Sequence, residues 1–171
     1  MPNNRKKHQD NDHQELMQSR FNDLWLTASA DGLRSVLTTR SPVALTSSLT
    51  GSTIQGQILA QATTELQEYF TGTRTVFTIP LAPRGTVFQQ LVWHQLRQIP
   101  YGATCSYSDI AAAMGKPQAA RAVGSANGKN PLCIIVPCHR VIAADGSLGG
   151  YSGGLELKLR LINLEQKMSV R

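Results

Sequence analysis

An apolar run at residues 132–136 constrains the fold of this chain most, because Pro137 ends it and Cys138, His139 and Arg140 follow directly. A run without polar alternation predicts a strand that is buried on both faces. Proline cannot donate to a strand ladder, so the strand is expected to stop there. The fold must then hold a thiol, an imidazole and a guanidinium at the end of a buried element.

Cys138 is the candidate nucleophile of the chain. A thiol with an ordinary pKa of ~8.5 reacts poorly at neutral pH unless a nearby cation or base assists it. His139 follows directly, but adjacent residues of an extended chain point to opposite sides, so a water or a bend would have to join the two. From these residues alone, Cys138 is either a nucleophile or a small core residue.

The cysteine count and the polar start of the chain indicate the compartment. The chain has Cys105, Cys133 and Cys138, no CxxC pair, and no apolar segment behind the basic residues of its start. These features predict reduced thiols, a cytoplasmic location and no secretion signal. Residues 1–13 are expected to form a disordered tail, and Cys105 and Cys133 are interpreted as small core residues.

The positive charge is concentrated in the half of the chain that holds Cys138. The net charge is +6; residues 86–171 carry nine Lys or Arg against four Asp or Glu, whereas residues 1–85 carry eight against seven. This excess favours a polyanionic partner such as nucleic acid, although a modest positive charge can also serve solubility alone.

Turn signals and apolar stripes predict an α+β protein with a small α/β domain at residues 14–84. Two strands are predicted to meet at Asp31-Gly32, which is a strong hairpin signal. A helix over residues 56–70 is expected to end at Gly72, and a further strand is predicted at residues 75–81.

The second domain, at residues 85–171, is predicted to be mostly helical. Residues 86–89 and 106–109 each fit a capping box that opens a helix, the first with Leu91 on its buried face. Two short helices on either side of a turn at residues 115–117 match the helix-turn-helix pattern.

The second helix of that pattern, QAARAVGSAN, is composed almost entirely of small residues around Arg121. Small residues permit tight packing against another helix, or a very close approach of the backbone to a ligand. Arg121 is accordingly either a lone surface charge or a side chain that enters a groove or the base stack of a nucleic acid.

Other motifs in the chain lack what their chemistry requires. Residues 150–154 fit the G-x-S-x-G pattern of serine hydrolases, but no histidine follows Ser152 in the chain. Residues 124–130 lack the spacing of a phosphate-binding loop and the Ser or Thr after Lys129. The cysteines and histidines lack the spacing of a structural zinc site, so no metal and no cofactor are expected.

The chain resembles the O⁶-alkylguanine-DNA alkyltransferases, also called methylated-DNA–protein-cysteine methyltransferases. The PCHRV core, the preceding Asn130-Pro131, the AARAVG helix and the YSGG loop match that family in order and spacing. The resemblance is specific over about residues 86–165 and looser over residues 19–84. It implies direct, irreversible and stoichiometric transfer of the alkyl group from O⁶-alkylguanine in DNA to the protein, with O⁴-alkylthymine left open as a second substrate.

The resemblance also implies a role for each matching residue of the reaction centre. Cys138 would attack the alkyl carbon, His139 would act through a water as the base, and Glu165 would orient His139. Asn130 would brace the turn that carries the thiol. Tyr107 would donate a proton or a hydrogen bond toward the guanine as the leaving base gains charge.

Contacts with the flipped base are implied as well, because a base inside a duplex cannot reach a buried thiol. The backbone carbonyls of Cys138 and Val141 would accept from the exocyclic amine of guanine. Ser152 would donate near O⁶, and Gly153 and Gly154 would permit the close backbone approach.

DNA contacts are implied for the small-residue helix, which would enter the minor groove through Ala120 while Arg121 fills the vacated stack. Lys116 and Lys129 would contact phosphates. The expected partner is double-stranded DNA with alkylated guanine, bound by a monomer away from any membrane. Arg160 departs from the family pattern, which often has an aromatic residue there, as does Gln166, where glycine is common.

Three other functions are compatible with parts of the sequence. A protein that binds alkylated DNA without repairing it typically lacks the reactive cysteine, which is retained here. A thiol hydrolase usually has its histidine far from the cysteine in sequence. A plain helix-turn-helix regulator would leave the PCHRV stretch without a purpose.

Overall fold

The computed structural model describes residues 12–38 and 53–169, and its first part is a three-stranded antiparallel sheet. Strand β1 (His13–Met17) pairs with β2 (Leu24–Ser29), and β2 pairs with β3 (Gly32–Leu37). The predicted hairpin at Asp31-Gly32 is confirmed.

The first strand corrects the predicted tail, whose residues 1–11 lie outside the described part of the chain. His13, which was assigned to that tail, is the first residue of β1 and pairs with Ala28. Only the two ends of β1 are buried, so its polar sequence HQELM carries no alternation that would have revealed a strand.

Helix α1 (Ile54–Thr71) covers the sheet and confirms the helix predicted at residues 56–70. Thr53 caps its start by accepting from the amide of Gly56, and Gly72 ends it at φ 79°, a left-handed conformation that glycine adopts without strain. The buried stripe of the helix contains Ile58, Leu59, Ala62, Glu65, Leu66, Tyr69 and Phe70.

The strand predicted at residues 75–81 is wrong, because the segment is irregular in the structure. The amides of Thr78 and Ile79 donate to the Glu65 carboxylate, at 2.9 and 3.4 Å, instead of to a strand. Pro80 has no amide hydrogen, and its carbonyl accepts a single bond from β3 at 2.8 Å. A buried carboxylate has therefore taken the donors that a ladder would need.

The second part of the chain is mostly helical, so the α+β class is confirmed. It contains α2 (Val87–Leu96), α3 (Tyr107–Ala113), α4 (Ala120–Gly128) and α5 (Leu155–Ser169). Both predicted capping boxes are present, at the starts of α2 and α3. Within the described ranges, no helix has the length and apolar character that crossing a membrane requires.

The buried face of α2 differs from its prediction. Leu91 was expected to be buried and is 51% exposed, whereas Trp93 is 3% exposed. The indole nitrogen of Trp93 donates to the carbonyl of Ala126 on α4 at 2.9 Å. Because α2 packs against α4 through this ring, the helix is rotated away from the face that Leu91 would have supplied.

Residues 132–136 are buried as predicted, but they form a tight turn and not a strand. The amide of Val136 donates back to the carbonyl of Leu132 at 2.9 Å, and Ile134 has a φ of 74°. A left-handed β-branched residue costs on the order of 1–3 kcal/mol, so surrounding contacts must hold this turn. Two-residue strands β4 (Cys105–Ser106) and β5 (Val141–Ile142) pair in parallel beside it.

Helix α5 joins the two parts of the molecule through Arg160. The guanidinium donates to the carbonyls of Arg20 and Phe21, at 2.7 and 3.0 Å, and lies 4.8 Å from the centre of the Phe21 ring. Arginine here replaces the aromatic residue of the resembled family with a cation–π contact and two hydrogen bonds. The opposite face of α5, with Leu161 and Glu165, remains buried.

Candidate active site

Cys138 begins a short 3₁₀ turn (Cys138–Arg140) between the buried turn and β5, and it is 2% exposed. The amide of Arg140 donates to the carbonyl of Pro137 at 3.0 Å, so the chain bends here instead of continuing extended. His139 and Arg140 are also buried. The bend required by the sequence is therefore present, and three polar side chains are removed from bulk water together.

Asn130 holds the turn that delivers the thiol. Its side-chain amide donates to the carbonyl of Val136 at 2.8 Å, and its side-chain oxygen accepts from the amide of Leu132 at 3.0 Å. The same side chain acts to lower the pKa of Cys138, against the effect of burial. Because Asn130 is itself 4% exposed, these bonds are shielded from competing water and fix both ends of the turn.

Glu165 on α5 collects the polar groups behind Cys138. His139 donates to it at 2.8 Å and Arg140 at 2.8 and 2.9 Å. The Tyr69 hydroxyl donates at 2.6 Å and the amide of Gly102 at 3.0 Å. Burial alone would raise the pKa of Glu165, but the bonds to His139 and Arg140 lower it to about 2. The carboxylate therefore stays ionised at neutral pH.

The ionised carboxylate sets the tautomer of His139. Burial lowers the pKa of His139 in spite of its bond to Glu165, so the ring is neutral at pH 7. Its Nε2 is 2.8 Å from Glu165 and carries the hydrogen, because the carboxylate can only accept. Nδ1 then has a free lone pair and is buried without a partner within the described ranges. It is the basic position of the site.

The thiols of Cys138 and Cys133 each shift the pKa of the other. The hydroxyl oxygen of Ser152 lies 3.4 Å from the Cys133 sulfur. The interaction between the two thiols lowers the pKa of Cys133 to about 7 and, with burial, raises the pKa of Cys138. One proton of the pair therefore leaves easily and the second is held tightly. Cys133 is buried as predicted, whereas Cys105 is only half-buried.

A cleft of about 310 Å³ opens above Cys138, a size suited to a small ligand. Its walls are Tyr107, Gly124, Asn127, Gly128, Cys138, Gly150, Tyr151 and Ser152. Burial raises the pKa of Tyr107, so its hydroxyl keeps its proton and can donate. A side chain at Gly149 would lie 3.1 Å from this hydroxyl, so glycine there keeps the donor accessible.

A larger cavity, about 420 Å³, is formed by the irregular segment at residues 75–81 and the turn after α2. Its walls include Arg140 and Tyr101 but none of the three cysteines. The thiol chemistry therefore belongs to the smaller cleft.

Lys158 on α5 ties the glycine-rich loop to the Cys138 turn. Its ammonium group donates to the carbonyl of Val141 at 2.6 Å, and also to the carbonyls of Leu148 and Gly150. The carbonyl of Cys138 accepts from the amide of Val141. Both carbonyls expected to bind a guanine amine are thus already engaged, and each has a second lone pair left for a ligand.

Ser152 and Gly153 lie where the glycine-rich loop enters α5. Ser152 is exposed and lines the cleft. A side chain at Gly153 would meet Leu157 at 2.8 Å and Tyr151 at 3.0 Å, so these two side chains would have to move to admit one. The next residue, Gly154, has a φ of 86°.

Residues of helix α4 line both the cleft of Cys138 and a second, open groove. Gly124 and Gly128 face the cleft of Cys138, while Ala120 and Arg121 line an open groove of about 800 Å³ at the start of the helix. Arg121, Lys116 and Lys129 are exposed, and the two lysines flank the ends of the segment. A polyanion in this groove would thus lie against the helix that forms one wall of the Cys138 cleft.

The sequence did not reveal Tyr69 or Lys158 as parts of this site. Tyr69 was placed on the apolar stripe of α1, and nothing local indicates that its hydroxyl bonds Glu165. Lys158 did carry a signal, because it precedes Glu165 by seven residues and so shares its buried helix face. A lysine at such a position must find acceptors inside the protein.

Two family models match nearly the whole of the described chain. One, described as 6-O-methylguanine DNA methyltransferase, ribonuclease-like domain, matches residues 13–83. The other, described as 6-O-methylguanine DNA methyltransferase, DNA binding domain, matches residues 87–167. The second match contains Cys138, His139 and Glu165.

Individual proteins are similar over long stretches. The constitutive methylated-DNA–protein-cysteine methyltransferase of Bacillus subtilis is 55% identical over 109 residues, which are 63% of this chain and 66% of that relative. A methylated-DNA–protein-cysteine methyltransferase of Mycolicibacterium paratuberculosis is 52% identical over 122 residues, 71% of this chain and 74% of the relative. The crystal structure of Mycobacterium tuberculosis OGT in complex with DNA has a TM-score of 0.82 and 42% identity, and covers 91% of this chain and 94% of the other.

Proposed function

We propose, because this chain belongs to the 6-O-methylguanine DNA methyltransferase family, that it repairs DNA by moving the alkyl group of O⁶-alkylguanine onto its own Cys138. The observation that carries the assignment is the buried Cys138 at the floor of a cleft, next to a neutral His139 held by an ionised Glu165. Binding and transfer are assigned to residues 85–171, and the α/β domain is assigned to residues 13–84, because His13 begins β1.

His139 supplies the base for the reaction. Its Nδ1 has a lone pair and no partner in the described protein, so a water there can pass the Cys138 proton to the ring. The imidazolium formed in this way is stabilised by Glu165 at 2.8 Å. Arg140 and Tyr69 keep that carboxylate in place, so it orients His139 without taking the proton itself.

The transfer itself is an in-line displacement. The Cys138 sulfur forms a bond to the alkyl carbon while the bond from that carbon to O⁶ breaks and its electron pair remains on the guanine. Tyr107, whose hydroxyl keeps its proton in the cleft, donates toward the base as negative charge develops. Ser152 donates near O⁶, and the carbonyls of Cys138 and Val141 accept from the exocyclic amine.

The product is a thioether, which has no readily displaced group. No hydrolysis step follows, so each molecule repairs one lesion and is spent. Such a protein acts as a monomer with one acceptor per chain, in a reducing cytoplasm where its thiol survives.

The DNA reaches the thiol by base flipping, because a paired guanine cannot enter the cleft. The small side chains of α4 let the backbone approach the minor groove at Ala120, and Arg121 fills the vacated stack. Lys116 and Lys129 neutralise phosphates on either side, which makes binding sensitive to salt.

A labelled methyl group tests the proposal. The reduced protein is mixed with an excess of duplex that contains O⁶-methylguanine with an isotopically labelled methyl, and the label on the protein is counted. One label per chain, absent in Cys138→Ser and retained in Cys105→Ser, is expected. Tight binding of the lesion with no label on wild type would make the protein a lesion-recognition module. A parallel duplex with O⁴-methylthymine defines the second substrate.

A further inference from the structure

Cys133 is a buried thiol that the repair reaction does not use, and it lies on the same buried segment as Cys138, the thiol that the reaction consumes. The chain reverses between the two residues, because the amide of Val136 donates to the carbonyl of Leu132 and Ile134 is left-handed. The Cys133 sulfur lies 3.4 Å from the Ser152 hydroxyl oxygen, and Ser152 lines the same cleft as Cys138, so both thiols lie around this serine. A disulfide between them would need a sulfur–sulfur bond of about 2.05 Å.

We propose that Cys133 and Cys138 form a reversible disulfide when a small peroxide enters the cleft, with Cys133 acting as the resolving thiol of Cys138. The cleft of about 310 Å³ reaches Cys138 but Cys133 is not among its lining residues. A peroxide therefore meets Cys138 first, and Cys133 lies behind it, against Asn130 and Ser152.

The chemistry balances with a peroxide as the oxidant. The Cys138 thiol gives up its proton and the resulting thiolate attacks one peroxide oxygen. The O–O bond breaks, and the departing hydroxide takes up that proton and leaves as water, which gives a sulfenic acid. The Cys133 sulfur then attacks the Cys138 sulfur, an S–S bond forms, the S–O bond breaks, and hydroxide leaves with the Cys133 proton as a second water. Two thiols are oxidised and one peroxide is reduced to two waters.

The pair differs from the remaining thiol in ways that bear on reactivity. Cys138 lowers the pKa of Cys133 to about 7, so the pair releases one proton near neutral pH. Burial and the charge of Asp109 raise the pKa of Cys105 to about 11, so Cys105 stays protonated and unreactive. Oxidation is thereby directed to the pair.

A disulfide would protect the site. Without a resolving thiol, a sulfenic acid at Cys138 proceeds with more peroxide to sulfinic and sulfonic acids, which ordinary thiols do not reduce. With Cys133 as the resolving thiol, the oxidised protein is inactive but returns to the dithiol state in a reducing environment.

Trypsin provides a direct readout, because cleavage after Lys129 and Arg140 releases residues 130–140, a peptide with both cysteines of the pair and without Cys105. Reduced full-length protein is treated with a small excess of hydrogen peroxide, and unreacted thiols are blocked with iodoacetamide. The protein is then digested with trypsin, and the peptide masses are measured by mass spectrometry. Wild type and Cys105→Ser should both give this peptide unblocked and lighter by two hydrogen atoms. Dithiothreitol should restore both blocking and transfer of labelled methyl.

Cys133→Ser is the decisive variant, after its circular dichroism and thermal transition have been matched to wild type. Its peptide should gain two or three oxygen atoms at Cys138, as a sulfinic or sulfonic acid that dithiothreitol does not reduce. Recovery of methyl transfer with dithiothreitol should therefore fall from near complete to near zero. The proposal is overturned if the wild-type peptide never loses two hydrogens, or if Cys105→Ser abolishes that loss. Since peptide mass needs no DNA, this outcome is independent of whether Cys138 accepts alkyl groups; should Cys133→Ser not fold, the wild-type peptide alone decides.

Discussion

The two sides of His139 differ in how completely their polar groups are satisfied. On the side of α5, Glu165 receives five hydrogen bonds from His139, Arg140, Tyr69 and the amide of Gly102. At its other ring nitrogen, Nδ1, His139 has no partner in the described protein, and the neighbouring Cys138 lines an open cleft. The saturated side fixes geometry and charge, and the unsaturated side leaves atoms free to react.

Substitutions near Glu165 and substitutions near Cys138 should have different effects. A buried charge pair with all its donors in place loses several kcal/mol when one partner is removed, because the remaining charges cannot regain water. Thiols are weak hydrogen-bonding groups, so their replacement disturbs the fold less. Substitutions on the α5 side should therefore change stability, and substitutions around Cys138 and α4 should change rate or DNA affinity.

The largest expected effect is on unfolding. Glu165→Ala leaves the guanidinium of Arg140 and the hydroxyl of Tyr69 buried without their acceptor, and it should lower the free energy of unfolding by about 3–5 kcal/mol. Glu156→Ala, on an exposed turn of the same helix, should change it by about 0.5 kcal/mol or less. Urea denaturation measures both. Equal losses in the two variants would contradict a special role for the Glu165 cluster.

The pH dependence of stability should identify the same carboxylate. The folded-state pKa of Glu165 is about 2 against an ordinary 4.5, so its ionisation stabilises the fold fully above pH 4.5. That contribution, roughly 3 kcal/mol, is lost as the pH falls from 4.5 toward 2. The gap in unfolding free energy between wild type and Glu165→Gln should therefore narrow over this range. A difference in unfolding free energy that does not change with pH would show that the charge of Glu165 does not stabilise the folded state.

His139 should affect rate more than it affects DNA binding. Loss of the base in His139→Gln should slow methyl transfer on the order of 100-fold. His94→Gln, an exposed histidine on α2, serves as the control and should leave the rate unchanged. Burial lowers the pKa of His139 from 6.5, so the wild-type rate should hold as the pH falls to 6.5 and decline only below it. A single-turnover rate near wild type for His139→Gln would remove His139 from the mechanism.

Arg121 is expected to give the smallest of these effects. Arg121→Ala should weaken binding of a lesion-containing duplex by about tenfold, since one groove-inserted side chain contributes about 1–3 kcal/mol. Transfer from the free base O⁶-benzylguanine should not change, because no stack has to be filled. Arg97→Ala, an exposed arginine on the turn after α2, is the matched control. If both reactions fall together in Arg121→Ala, the residue supports the fold and not DNA.

Much of the fold could be predicted because its signals are local. The hairpin at Asp31-Gly32, the two capping boxes and the glycine that ends α1 each depend on a few neighbouring residues. The segment at residues 75–81 could not be predicted, since its amide donors bind Glu65, which lies on another element. The buried turn at residues 132–136 was predicted as a strand for a similar reason. The carbonyl of Val136 accepts from the side-chain amide of Asn130 and not from a neighbouring strand.

The residues of the site also differ in whether local sequence identifies them. Cys138, His139 and Asn130 were apparent because they are adjacent or fit a pattern that resembles a known family. The partners that set their charge, Tyr69 on α1 and Lys158 on α5, come from distant parts of the chain. Only the tertiary structure could bring these groups together, so their contribution was not readable from the sequence.

Fragmentation of one peptide tests the central claim most directly. After reaction with a duplex that contains O⁶-methylguanine, residues 130–140 are isolated, and the methyl group is located between the two cysteines of that peptide by tandem mass spectrometry. Methyl on Cys138 alone, with Cys133 free, is the predicted result. Methyl on Cys133, or methyl shared between the two cysteines, would contradict the assignment of Cys138 as the alkyl acceptor.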